Sequence, residues 1–185
     1  MIIGNPNRFA MFIEKVNLWN YTNTNDNGLI FFFVGGKVFP IEACDCILNM
    51  TVLSLEKFLK EIPEDREIFD ASSENAVKMI INKTYPSNEN MENNYDHVLQ
   101  MYELLDNNYY LLGIKKSDKV RIISAKIEYD NDTDLFDFEN IKTEETVISQ
   151  YYVDKFIEQL EKIKRSNEEK FKIVLKREEM QYDIR

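Results

Sequence analysis

The sequence predicts an α+β domain with a mainly antiparallel β-sheet and helices packed on one face. Two observations carry this expectation. Short runs of β-branched and aromatic residues are joined by hairpin-length turns, and apolar stripes of helical period stand between groups of such runs. A third bounds the size: 185 residues without an internal repeat fit a single unit, 1–185, near the typical domain of about 150 residues.

The elements follow in order. Residues 9–16 read as a first strand, followed by a polar loop over 20–27 that is crowded with Asn. Residues 29–34 are apolar throughout and bounded by turn signals, which predicts a buried strand. Gly35-Gly36 is a two-residue hairpin signal, and 37–39 is the returning strand. Pro40 cannot donate to a ladder, so that strand lies at an edge or ends there. Residues 43–52 are ambiguous, with strand favoured. Ser54 is a cap for a short helix over 55–62, stopped by Pro63.

Ser72 or Ser73 caps the next helix, in which Ala76, Val77, Ile80 and Ile81 share a face, and Tyr85-Pro86 ends it. Residues 87–94 lack periodicity and read as a mobile insertion. Residues 95–105 read as a third helix, with Val98, Leu99, Tyr102 and Leu105 on one face. A hairpin across 116–119 joins strands over 109–114 and 120–129, the second alternating as a half-buried strand does. A further strand spans 143–148. The clearest helix spans 150–164, with Ser149 as N-cap, Ile148 and Val153 as a hydrophobic staple, and i,i+4 pairs Glu158–Lys162 and Glu161–Arg165. Alternation of Phe171, Ile173 and Leu175 with Lys predicts a last strand.

Composition narrows function. The chain has 44% hydrophobic and 30% charged residues, which excludes wholesale disorder. Its formal net charge of −10 argues against a nucleic-acid binder and suits a basic protein partner. The basic stretch 162–177 reads as the solvent face of a helix and strand rather than a nucleic-acid site. The start carries no basic segment followed by an apolar core, and its longest apolar run, 29–34, is far short of the roughly 20 residues of a membrane span. The expected location is therefore the cytoplasm, without membrane attachment. Cys44 and Cys46 read as reduced structural thiols.

Candidate chemistry is sparse. His97 is the single imidazole, so no nucleophile finds a base without it, and it reads as an exposed or helix-start residue. Asp130-Asn131-Asp132-Thr133-Asp134 resembles half of a calcium loop, but Leu135 and Ile141 stand where the turn Gly and the bidentate Glu belong. No metal and no cofactor is expected. Between Glu128 and Glu145 eight carboxylates face Lys142 alone, interleaved with Leu135, Phe136 and Phe138. Acids steer encounter and aromatics anchor it, so Asp130, Asp132, Asp134, Phe136, Asp137 and Glu139 are candidate partner-binding residues, with Trp19 as a further anchor. A strand whose Phe side chains face the core is the competing explanation.

The opening Met1-Ile2-Ile3-Gly4-Asn5-Pro6 with Phe9-Ala10, then Trp19, Asn27-Gly28-Leu29, Gly36 and Phe39-Pro40, resembles the immunity protein 42 family of bacterial polymorphic toxin systems. Lys119-Val120-Arg121-Ile122 is similar to that family's second half. The close match covers about the first 40 residues, and the rest agrees in element order. The resemblance implies a small cytoplasmic antidote that binds and occludes a cognate toxin without catalysis. Many toxin domains are basic nucleases, which an acidic inhibitor complements. The alternatives are a protein-binding adaptor of a mobile element and, further off, a small carboxylate-dependent or metal-dependent enzyme.

Overall fold

A computed structural model describes residues 1–20, 26–87, 90–130 and 135–165 of the chain. Two antiparallel sheets organise them. The first has strand order β1 (Ile2–Gly4), β2 (Phe9–Lys15), β3 (Asn27–Val34), β4 (Lys37–Ile47). In the second, β5 (Tyr109–Lys116) pairs with β6 (Lys119–Lys126), which pairs with β9 (Lys142–Ser149). A two-stranded ribbon, β7 (Tyr129–Asp130) with β8 (Leu135–Phe136), lies between β6 and β9 in the chain. The helices are α1 (Leu48–Glu61), α2 (Arg66–Asp70), α3 (Ser73–Thr84), the single turn α4 (Tyr102–Leu105), and α5 over 150–165.

The α+β class and its antiparallel sheets are as the sequence predicts. Gly35 and Gly36 make the β3–β4 turn with φ of 57° and 88°, values that glycine adopts without Cβ strain. Ser72 caps α3 by accepting from the Asn75 N–H at 3.3 Å, and Ala76, Val77, Ile80 and Ile81 are buried as expected. Ser149 accepts from the Tyr152 N–H at 3.2 Å, while Val153, Phe156, Ile157 and Leu160 carry the buried stripe of α5. Glu158 pairs there with Lys155, 2.8 Å away, rather than with Lys162.

The arrangement of the helices goes beyond one face. One apolar cluster joins the inward face of the first sheet to α1, α5 and one face of the second sheet, through Phe9, Phe32, Leu55, Phe156, Leu111 and Ile122. The other joins the opposite face of the second sheet to α2 and α3, through Ile68, Ile80, Leu112, Ile114 and Ile123. Helices therefore cover one face of the first sheet and stand on both sides of the second. This also corrects the half-buried reading of β6: Val120 and Ile122 serve the first cluster and Ile123 and Ala125 the second, so the strand is central.

Other expectations fail for identifiable reasons. Residues 95–101 are not helical. Val98 forms a bridge to Leu112, the Leu99 N–H donates to the Leu111 carbonyl at 2.9 Å, and the edge of β5 is satisfied that way. Val98 enters one cluster and Leu99 the other, an extended-chain alternation that helical spacing imitates. Tyr102, assigned to the buried face, is 83% exposed. Helix α1 begins at Leu48, so 43–52 is half strand and half helix and Ser54 lies inside α1 rather than capping it. Strand β4 passes through Pro40 as an edge strand, where the register against β3 shifts between Ile30 and Phe32. Of the expected insertion 87–94, residues 88 and 89 lie outside the described residues, and the others are exposed, with the Asn94 N–H donating to the Lys83 carbonyl at 3.0 Å. The expected strand around 171–175 also lies outside them.

Strand β3 is buried on one side alone. Gly28, Ile30, Phe32 and Val34 are buried, while Leu29, Phe31 and Phe33 are half-buried. Those three belong to neither apolar cluster.

Candidate partner-binding surface

The acidic stretch is built around the β7–β8 ribbon. Of its candidates, Asp132 and Asp134 lie outside the described residues. Asp130 ends β7 and is exposed, and Glu139 is exposed. Phe136 turns toward the second apolar cluster. Its ring lies 5.0 Å from Tyr129, 5.3 Å from Tyr85, 6.1 Å from Phe138 and 6.4 Å from the buried Tyr110. Such tilted and edge-on pairs add packing energy beyond burial. Phe138 packs on the same cluster, with the Lys78 ammonium 5.9 Å from its ring centroid. The aromatics of this stretch are thus engaged within the fold.

Asp137 also has local work. Its Oδ1 accepts from the Glu139 N–H at 2.8 Å and its Oδ2 from the Asn140 side-chain amide at 3.3 Å. The Glu139 N–H foremost, helped by Asn140, holds its carboxyl below the usual range. The stretch therefore presents negative charge with its aromatic anchors turned inward.

Trp19 stands elsewhere. It closes the 3₁₀ turn Asn17–Trp19 beyond β2 and beside β3, is 44% exposed, and its carbonyl accepts from the Asn27 side chain at 3.1 Å. It belongs to the first sheet, whereas the β7–β8 ribbon packs on the far face of the second. The candidates do not form one patch.

His97 is buried, not exposed or at a helix start. Its Nδ1 lies 2.9 Å from the Gly113 carbonyl oxygen, which can only accept, so Nδ1 carries the proton. Burial pushes the imidazole below its ordinary pKa, against the opposing pull of that carbonyl. Burial likewise pushes the Cys44 and Cys46 thiols up to about 12 and about 11, which keeps them protonated and unreactive. Among the described residues no group of three His, Cys, Asp or Glu side chains could hold a metal ion. A shallow pocket beside α1 is lined by Ser54, Lys57, Glu61, Tyr95 and Asp96 and contains no nucleophile with a base.

Sequence reasoning missed Arg121 and the outward face of the first sheet. Arg121 is buried on β6 and holds the α2–α3 junction. Its guanidinium donates to the Phe69 and Ala71 carbonyls at 2.8 and 2.7 Å, to the Ser73 hydroxyl at 3.3 Å, and through Nε and Nη2 to the Glu145 carboxylate. Burial raises the Glu145 carboxyl's pKa, but the bonds from Arg121 and Ser73 outweigh it and hold the pKa low. An Arg inside an apolar strand is the signal that could have shown it. For the outward face, the signal is the uninterrupted apolar run 29–34 in a sheet whose inward face needs every second residue.

Among solved structures the chain is similar to the crystal structure of CdiI from Burkholderia dolosa AUO158. The TM-score is 0.69 at 22% identity, over 88% of this chain and 99% of that one. At this identity the likeness shows a shared fold. No curated protein matches the chain. The family model for immunity protein 42 matches residues 1–163, nearly the whole of the described chain. The chain therefore belongs to the immunity protein 42 family, a family of toxin immunity proteins.

Proposed function

We propose that this protein binds a cognate toxin domain and neutralises it by occluding it, without chemistry of its own. The observation that carries this is membership of the immunity protein 42 family over residues 1–163. The geometry supports it: the one imidazole is buried against a carbonyl, both thiols are buried and protonated, and the Glu145 carboxylate that accepts from the Ser73 hydroxyl is committed to the Arg121 guanidinium. The net charge of −10 favours a basic toxin and disfavours nucleic acid as a direct ligand. No helix of the described residues is long and apolar enough to cross a membrane. Action in the cytoplasm, where a toxin attacking cellular components would be met, is part of the proposal.

Co-expression tests it. The toxin domain encoded beside this chain's gene is induced with and without the chain. The proposal expects growth arrest by the toxin alone, rescue by the wild type, and equal rescue by a folded His97→Asn variant. A soluble chain that gives no rescue overturns the function. Loss of rescue in the folded His97 variant overturns the non-catalytic mechanism.

A further inference from the structure

The outward face of the first sheet is apolar and, among the described residues, is packed against neither apolar cluster. Cross-strand register places Ile2 beside Phe12 and Phe12 beside Phe31, and in a neighbouring row Phe33 beside Val38. The Phe12 and Phe31 rings lie 6.1 Å apart. Ile2 and Val38 are 52% and 46% exposed. None of these side chains, nor Leu29, belongs to either apolar cluster, and α1 and α5 occupy the other side of the sheet. Isolated exposed apolar residues need no explanation, but neighbouring apolar side chains across four strands, aromatic on β2 and β3, mark a contact surface.

The charges at this face select the occupant. Glu14, Leu29 and Asp45 form one outward row across β2, β3 and β4, with a carboxylate at each end. At the outward register positions of the sheet the ionisable side chains are these two acids. Lys15, the nearest lysine in sequence to Glu14, is held by Asp26. Glu14 meets the N-terminal amine at 3.9 Å, and Asp45 has no ion pair among the described residues. An apolar centre with an acid at each end of its edge row, Asp45 among them without an ion pair among the described residues, fits a partner whose own apolar patch is bordered by Lys or Arg. A second copy of the chain fits worse, since it would bring −10 against −10.

We propose that this outward face is where the cognate toxin docks, with Phe12, Phe31, Phe33 and Val38 as the apolar contact and Glu14 and Asp45 receiving basic side chains of the toxin. This rests on the toxin-neutralising reading above.

The test uses the full chain and the toxin domain encoded beside its gene. Val38→Arg and Asp45→Lys change exposed side chains, so their Tm should match the wild type. Their Kd for the toxin should rise tenfold or more, chiefly through faster dissociation. In a Val38→Cys variant the new thiol should react rapidly with a maleimide in the free protein and be protected by the toxin, while buried Cys44 and Cys46 stay silent. Variants that bind within twofold of a wild type that itself binds overturn the docking face alone. Slow labelling of the free protein at every concentration would put part of the chain itself on this face. Slow labelling at high concentration alone would put a second copy there. Either result overturns the proposal. A wild type that does not bind the toxin overturns the function first.

Discussion

Arg121 shows how much one residue can hold. Its guanidinium spans Glu145 on β9 and the backbone carbonyls around α2, so it ties the second sheet to the helices on its far face. Removing it leaves those carbonyls without their donor and Glu145 without its cation. Arg121→Ala should cost about 3 kcal/mol or more and lower Tm by roughly 6–12 °C. Arg121→Lys should recover only part of this, because one ammonium cannot replace a planar fork of five donors. Thermal unfolding of the three proteins checks both statements, and a Tm within 2 °C of wild type for the Ala variant would remove Arg121 from its structural role.

His97 gives the fold a pH dependence of known sign. Burial depresses its folded pKa, so below the unfolded value of about 6.5 the unfolded chain binds a proton that the folded chain resists. Stability is therefore complete above that value and falls as pH drops through it toward the folded pKa. One such group contributes a slope of at most about 1.4 kcal/mol per pH unit. Urea unfolding at pH 7.5 and 5.5 should show a smaller loss in His97→Asn than in the wild type, and equal losses would contradict the assignment.

At the scale of elements, Phe156 of α5 is the joint between the helix and the first sheet. Its ring lies 5.1 Å from that of Phe9, and the position of a Cβ on Gly4 would fall 2.7 Å from it. Phe156→Ala should destabilise by about 3–5 kcal/mol, measurable as a lower urea midpoint. Gly4→Ala should also destabilise, since Gly4 has φ of 85° and the new methyl would meet both this ring and the Phe9 carbonyl. Both follow from shape, and a neutral result for either would mean the helix seats differently.

Elements with strong local signals were legible in the sequence. The Gly35-Gly36 hairpin, the Ser72 cap and the Ser149 cap each fix a boundary within a few residues of the chain. What escaped was decided by tertiary partners. Strand β1 spans Ile2–Gly4 alone and exists because β2 is there to pair with it. Residues 95–101 choose extension because β5 offers an open edge. Helix α2 spans Arg66–Asp70 and is fixed by the Asp65 carboxylate accepting from the Ile68 N–H at 3.0 Å and by the Arg121 clamp, neither of which shows as periodicity. Of the candidate site, the acidic charge was legible. The inward turn of Phe136 was not, because an apolar residue in a short strand looks alike whether it faces core or partner.

The described residues are layered, with the second sheet shared between two cores and the first sheet keeping one apolar face outside both. The charge of the whole molecule acts at longer range than any contact. If the acidic stretch adds to the field that draws in a basic toxin, changing Asp130, Asp132, Asp134, Asp137 and Glu139 to Asn or Gln should slow association and flatten its salt dependence. Dissociation should be unchanged, because steering acts on encounter. Stopped-flow association at two salt concentrations checks this, and identical on-rates and salt slopes would take the stretch out of the encounter.

The central claim is that this immunity protein acts by occupying its toxin. Titrating the purified chain into a fixed amount of the neighbouring toxin domain, with the toxin's own activity as readout, tests it most directly. The account predicts inhibition that is complete at a fixed stoichiometric equivalence, independent of incubation time, and reversed when the complex is separated. Inhibition by a small fraction of an equivalent that deepens with time and leaves the recovered toxin inactive would show an enzyme at work, and would contradict it.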